Sequence, residues 1–473
     1  MNNQIAFKIF VLAVFIGLIA PFLIQDGMFM DGQIYAAVSH NLANGLGSFW
    51  FPTFTAYVLT DYSEQLPLFF GVQALFFKVF GDSMYTERIF SFVMAILTAF
   101  NISLIWKLFY HNDIGKTKMD WLPIFYWVMI PVISWSYTQN VEEVLMSVFA
   151  TGSVFFILKA LLTQKNLFTN LLIGGFLIFL TSFCKGFQGL FPLVTVGFYW
   201  LFYRKISFSK AVIYSLVLVA VPLLIYSVLM LIDTSHESIM NYVNNRIVRT
   251  FTKSYSATTT NHFSLVIQIF EQLIPVFIIM LLTFITFKIK SKEAISIQWK
   301  NFGFFLSLGL SGSLPLMVTL EQRGFYLTTS FPFIAIALAG ISATYLAPLL
   351  ARIDISSKGY RLFKGFAFAA LLGAILITGL QFGETRRNKD ELHDVYAIGD
   401  AIPNHSSIST SKELRSNYAV IAYFARHNYA NLDNDTVQLH AYYLAQKGTP
   451  ILIHEEYEIV ELGLKAFDFY KKK

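Results

Sequence analysis

Cysteine and charge are what this chain has least of. A single cysteine, Cys184, in 473 residues excludes an internal disulfide and reads as a small gap filler in an apolar helix. Charged residues make up 14% against 55% hydrophobic, which excludes an ordinary soluble domain. Walker, Rossmann and zinc-finger spacings are missing, as are internal repeats and low-complexity tracts, so the sequence offers no nucleotide-binding loop and no solenoid. The net charge of +6 raises nucleic acid as a partner, but the lysines and arginines are sorted by membrane topology, and no nucleic acid is expected.

What the chain has instead is long apolar runs. Crossing about 30 Å of hydrocarbon takes roughly 20 apolar residues. Stretches near 7–24, 85–109, 120–136, 142–162, 168–183, 187–202, 211–231, 265–287, 301–319, 326–346 and 363–381 meet that need, giving about eleven transmembrane helices. The first carries Lys8 but is followed by Gln25-Asp26-Gly27-Met28, no cleavage site, and reads as an uncleaved helix. Basic clusters at 107–118, 159–165, 204–210, 288–300 and 352–364 fall on the side of Lys8, which the positive-inside rule makes the cytoplasm. The run Leu66 to Phe80 is short and holds Lys78, so an external amphipathic helix is expected there.

Composition changes after Phe382. Residues 1–382 form the membrane domain, and residues 383–473 a small extracytoplasmic α/β domain. In that tail, strand-like pieces (Tyr396–Ile398, Val437–Leu439, Ile451–Ile453) alternate with helical ones (Leu414–Arg426, Val460–Tyr470). Short Lys-rich loops suggest a bacterial inner membrane, with the N-terminus cytoplasmic and the tail periplasmic.

The polar residues that apolar segments normally exclude gather on the external side of this map. They are Asp26, Asp31, Asp61 and Glu64 in the first loop, then Asn140, Glu142 and Glu143, then Lys185. Arg246, Arg249, Lys253 and His262 follow, and finally Glu321, Arg323 and Tyr326. Ionisable groups facing a bundle interior are costly unless paired or used. Each also has a plain structural reading. Asp31 ahead of Gly-Gln-Ile-Tyr would serve as a helix N-cap, and Glu142 and Glu143 as first-turn residues favoured by the helix dipole. Lys185 would snorkel to head groups, Arg246, Arg249 and Arg323 would hold lipid phosphates, and His262 would sit at the interface.

Met30-Asp31-Gly32-Gln33-Ile34-Tyr35-Ala36, with Asn41-Leu42-Ala43-Asn44-Gly45 and Ser48-Phe49-Trp50 after it, resembles the first-loop motif of the GT-C glycosyltransferases that use polyprenyl-phosphate sugars. These are the bacterial aminoarabinose lipid A transferases and the protein O-mannosyltransferases. Glu64-Gln65-Leu66-Pro67-Leu68, Phe80-Gly81, Arg88, Glu143 through Phe149, Phe183-Cys184-Lys185-Gly186, Arg323-Gly324-Phe325-Tyr326-Leu327 and Phe331-Pro332 continue the resemblance in order over roughly the first 340 residues. Departures are Gln65 and Leu66 in the acidic-x-Pro-Pro-Leu segment, and Glu143 where an Asp is common.

The resemblance implies a mainly helical polytopic GT-C fold and an inverting transferase. The sugar would pass from a polyprenyl (undecaprenyl) phosphate donor to a hydroxyl or phosphate of lipid A, protein or glycan in the periplasm. Asp31 and Glu143 become the candidate catalytic acids, and Glu64, Lys185, Arg246, Arg249, Arg323 and Tyr326 the substrate-binding residues. The chemistry suits these residue types, since a carboxylate can take the acceptor proton and cations can hold the leaving phosphate. Lys185, Arg249 and Arg323 are the expected phosphate clamp. No nucleotide site is required, no cofactor is assigned, and a divalent metal held by Glu64, Glu143 and His262 stays open. An O-antigen-type polymerase or ligase and a lipid-linked sugar transporter are the alternatives.

Overall fold

The computed structural model describes residues 4–249, 257–291, 295–435, 439–449 and 456–473. Lys253, most of the strand-like piece 437–439 and all of 451–453 lie outside the described residues. The chain divides into two compact units, each discontinuous in sequence. The first is Met1–Pro21, Ser91–Thr138 and Glu142–Leu380; the second is Phe22–Phe90, Gln139–Val141 and Gln381–Lys473.

The first unit is a multi-pass membrane bundle. Among the described residues nine helices are long and apolar enough to cross a membrane, if the continuous run Leu167–Tyr203 counts once. That run is 37 residues long and holds two of the expected spans, α9 (Leu167–Lys185) and α10 (Thr195–Tyr203), joined by a 3-10 segment, Gly186–Val194. The span expected at 120–136 is instead two eight-residue helices, α6 (Trp121–Val128) and α7 (Pro131–Thr138). Pro131 lacks the N–H that would continue α6, so the helix stops, and each piece is only about 12 Å long.

Burial sorts the bundle into centre and rim. In α8 (Glu143–Thr163) 72% of the apolar window is buried, against 17% in α11 (Phe208–Leu229). On α11, Leu216, Leu223 and Leu224 are all more than half exposed, which a helix tolerates when its outer solvent is lipid.

The second unit holds α2 (Met30–Ala43), α3 (Leu68–Phe80) and the start of α4 (Thr86–Phe109), together with the tail. As expected, the run at 66–80 is a short helix: α3 spans about 20 Å, too little for a bilayer. It buries Phe69, Phe70, Gln73, Ala74 and Phe77 and exposes Leu75, Val79 and Phe80.

The tail folds as a five-stranded sheet with helices. Strand order is β2-β1-β3-β5-β4, with β1 (Ser407–Thr410) parallel to β2 (Asn431–Asp433) and β3 (Tyr442–Gln446). Strand β5 (Phe467–Lys472) runs antiparallel to β3 and to β4 (Tyr457–Ile459). Two local expectations fail here. Tyr396–Ile398 lies inside the helix Lys389–Ala401, because Leu392, Val395 and Ile398 bury one face at three-residue spacing. The helix expected at 460–470 is replaced by β5, where Phe467 and Phe469 alternate inward in a two-residue period. The helical expectation at 414–426 is met by Lys412–Arg415 and Tyr418–Asn428, the second begun by the Asn417 side chain accepting from the Val420 N–H.

Candidate functional site

In the first unit, α8 opens on two adjacent acids, Glu142 as its N-cap residue and Glu143 in its first turn, both fully buried. A helix N-terminus favours negative charge, but two buried carboxylates also need a cation. Lys185, the last residue of α9, provides it. Its ammonium pairs with Glu143 Oε1 and lies 3.9 Å from Glu142 Oε2. It also sits over the Tyr326 ring at 4.4 Å, a cation–π contact.

Chain reversal just after the lysine needs Gly186, whose φ is +74°. A Cβ there would strike the Tyr242 hydroxyl. Tyr326 comes from the short 3-10 turn Gly324–Leu327, where its carbonyl accepts from Gln188 Nε2 at 2.8 Å.

Arg246, on the π-helical turn Val243–Val248, continues the cluster. Its Nη2 lies 2.7 Å from Glu321 Oε1 and 3.5 Å from the Tyr326 hydroxyl, which itself donates to Glu321 at 3.1 Å. Acids and bases therefore alternate around one phenol: Glu142 and Glu143, Lys185, Tyr326, Arg246, Glu321. Tyr242, buried beside them with its hydroxyl 3.4 Å from the Lys185 carbonyl, has its phenol pushed well above the usual range by burial and then by Glu142.

Of the expected phosphate clamp, Lys185 is engaged by the two glutamates. Arg249 lies exposed just past the π turn, and Arg323 is half-buried ahead of the 3-10 turn. The residues considered for a metal do not fit one. His262 Nδ1 is 2.6 Å from the Met317 carbonyl, Glu143 is on Lys185, and no metal-competent group of three or more His, Cys, Asp or Glu occurs among the described residues.

In the second unit, Asp31 is the second residue of α2, half-buried in its first turn. Phe29 holds the N-cap position, so the capping role expected as the plain alternative is not the one Asp31 has. The segment 139–141 fixes this helix end instead. Gln139 Oε1 accepts from the Phe29 N–H at 2.6 Å, and Asn140 Nδ2 donates to the Gly32 carbonyl at 3.0 Å. Gln73 Nε2 from α3 donates to Asn140 Oδ1 at 2.6 Å. Gly32 is required by this approach, since a Cβ would overlap the Gln139 carbonyl oxygen. Glu64 is half-buried in the turn before α3.

Sequence reasoning named Glu142 and Glu321 as external polar residues but gave them no role. Their adjacency to Glu143 and Arg323 was the available signal. Tyr242, Gln188 and Gln139 carried no signal in sequence, because each matters only through a contact made by folding.

Long apolar helices, short helices in the first loop and a small mixed sheet in the tail make up a membrane fold shared with a solved structure. One protein whose fold it shares is ArnT from Cupriavidus metallidurans. Its crystal structure bound to undecaprenyl phosphate aligns at a TM-score of 0.64 and 12% identity, over 98% of this chain and 97% of that one. Its apo form aligns at 0.61 and 12% identity, over 97% and 95%. No family model matches the sequence, and no curated protein matches it significantly. The likeness is thus one of fold.

Proposed function

We propose that this chain is an inverting membrane glycosyltransferase using a polyprenyl-phosphate sugar as donor and a periplasmic hydroxyl or phosphate, on lipid A, protein or glycan, as acceptor. The observation that carries the reading is the Arg246–Glu321–Tyr326 contact set beside Lys185. Here a guanidinium and a phenol converge on one carboxylate, the geometry by which they would grip a phosphate. The ArnT structure of the same fold was determined with undecaprenyl phosphate bound.

In this mechanism the acceptor oxygen attacks the anomeric carbon from the face opposite the phosphate. The bond from that carbon to the phosphate oxygen breaks, its electron pair stays on the phosphate, and the acceptor proton passes to a carboxylate. Asp31 is the proposed base. Arg246 and Tyr326 receive the growing phosphate charge, with Glu321 exchanged for the ligand, and Arg249 and Arg323 add positive charge. Lys185 is held in its pair with Glu143, so its role is to orient the Tyr326 ring and to keep the two acids ionised. We place the protein in a bacterial inner membrane, with the tail periplasmic.

The test separates binding from chemistry in purified protein. Arg246→Ala is expected to weaken retention of undecaprenyl phosphate by about tenfold or more, the cost of one charge-assisted hydrogen bond. Asp31→Asn should bind that lipid normally yet transfer no sugar, with products followed by mass spectrometry. Undiminished binding by both Arg246→Ala and Tyr326→Phe would remove the cluster from the donor site, and parental transfer by Asp31→Asn would remove the base.

A further inference from the structure

A groove runs along the first unit between α1 (Ile5–Leu23), α4 and α6. Its cavity volume is about 260 Å³, and its walls are Val11, Leu12 and Phe15 from α1, Ile96 and Ala99 from α4, and Ile124 from α6. Leu12 and Ile96 are nearly half exposed, so the groove opens on the outer, lipid-facing surface of the bundle. Its remaining lining includes Lys8 and Asp120, which close one end.

That end is built from charge. Asp120 is almost buried, accepts from Ser103 Oγ at 2.9 Å, and pairs with Lys8 at 2.7 Å and with Lys107 at 2.8 Å. Both lysine side chains stay substantially exposed, 38% and 48%, whereas the carboxylate does not. One carboxylate between two ammonium groups leaves a formal excess of one positive charge. An ammonium has three donors, so each lysine retains N–H groups for a second acceptor. An apolar groove of about 260 Å³ that adjoins surplus positive charge is complementary to a molecule with an acyl tail and an anionic head.

We propose that this groove binds one anionic phospholipid, with an acyl chain along Leu12, Phe15 and Ile96 and the head-group phosphate on Lys8 and Lys107. Basic pockets between membrane helices recognise such head groups, and their lysines favour anionic over zwitterionic lipid by an amount that adds per cation. This site is independent of the proposed transferase chemistry, since it uses none of those residues.

The experiment is native mass spectrometry and thermal stability of delipidated protein, with phosphatidylglycerol or phosphatidylcholine of identical acyl chains. The parent should retain phosphatidylglycerol preferentially and melt higher in its presence. Lys107→Gln leaves Asp120 paired with Lys8, so it should fold and lose about fivefold of the preference. The triple variant Lys8→Gln, Lys107→Gln, Asp120→Asn removes every charge together and should show no preference. Leu12→Trp fills the channel with the charges intact and should reduce retention of both lipids. Equal retention of the two lipids by the parent, an unchanged preference in the triple variant, or an unaffected Leu12→Trp protein would each overturn the proposal.

Discussion

Lys185 shows how little a residue's type says about its use. From sequence it was one of three external cations awaiting a phosphate, yet its ammonium is already committed to Glu143 and shelved on the Tyr326 ring. Burying two adjacent carboxylates is tolerable only with such a partner, so removing the partner is worse than removing the set. Lys185→Met is therefore expected to destabilise the protein by about 3–5 kcal/mol, while Lys185→Met combined with Glu142→Gln and Glu143→Gln should recover most of that loss. Thermal or denaturant unfolding in detergent decides it. A lysine serving mainly as a phosphate ligand would instead leave stability unchanged and weaken donor binding.

At the scale of elements, the short helix at 66–80 was legible because its signal is local, whereas the first-loop helix was read only through a cap at Asp31 that Phe29 holds instead. Asp31 stands in a contiguous motif, and the run at 66–80 is too short to span. The spacing of Leu392, Val395 and Ile398 was equally available but was masked by the β-branched and aromatic residues around it. What could not be read was the attachment of α2, since Gln139 and Asn140 lie 110 and 108 residues from their partners Phe29 and Gly32. Asn140 has a φ of +53°, so Asn140→Gly keeps the backbone and deletes only the amide. This variant should lower kcat for sugar transfer with KM for the lipid donor unchanged, because the lost bonds orient the turn that carries Asp31. A rise in KM at constant kcat would show that Asn140 serves donor binding.

At the scale of the whole second unit, a charge network ties the first loop to the tail. Arg426 pairs with Asp82 at 2.7 Å and with Glu87 at 3.0 Å, and Tyr396 donates to Asp26 at 2.6 Å. His40, fully buried, has Nε2 2.8 Å from Asp82 and 2.9 Å from the Tyr429 hydroxyl. None of this was visible in sequence, where Arg426 and Asp82 stand 344 residues apart. Burial lowers the His40 pKa below its ordinary value and Arg426 lowers it further, against the pull of Asp82.

The unfolded chain therefore takes up a proton near pH 6.5 that the folded one refuses, and stability falls as pH drops below about 6.5. Burial alone would raise the Asp82 carboxyl, but His40 and Arg426 hold it well below the usual carboxylate range, so its contribution is lost only in stronger acid, below about pH 4. The melting temperature should accordingly drop between pH 7.5 and 5.5, and His40→Gln should reduce that drop, the rest coming from the buried His427, whose pKa burial and Arg426 also lower. Superimposable pH profiles for parent and variant would remove His40 as the cause.

The three-piece make-up of this unit also sets a timetable for biogenesis. Glu87 is made 339 residues before Arg426, the cation it is buried against, an interval of roughly 20 to 70 s at ordinary elongation rates. Until the tail is made the first loop has no Arg426 to accompany Asp82 and Glu87, no Tyr396 for Asp26 and no Tyr429 for His40. Arg88 can pair early with Asp26 and Glu87, but Asp82 must stay hydrated until Arg426 emerges, so the loop cannot reach its final packing before then. A ribosome stall or premature stop within the tail would thus strand an otherwise inserted bundle with its Asp31 helix unfinished.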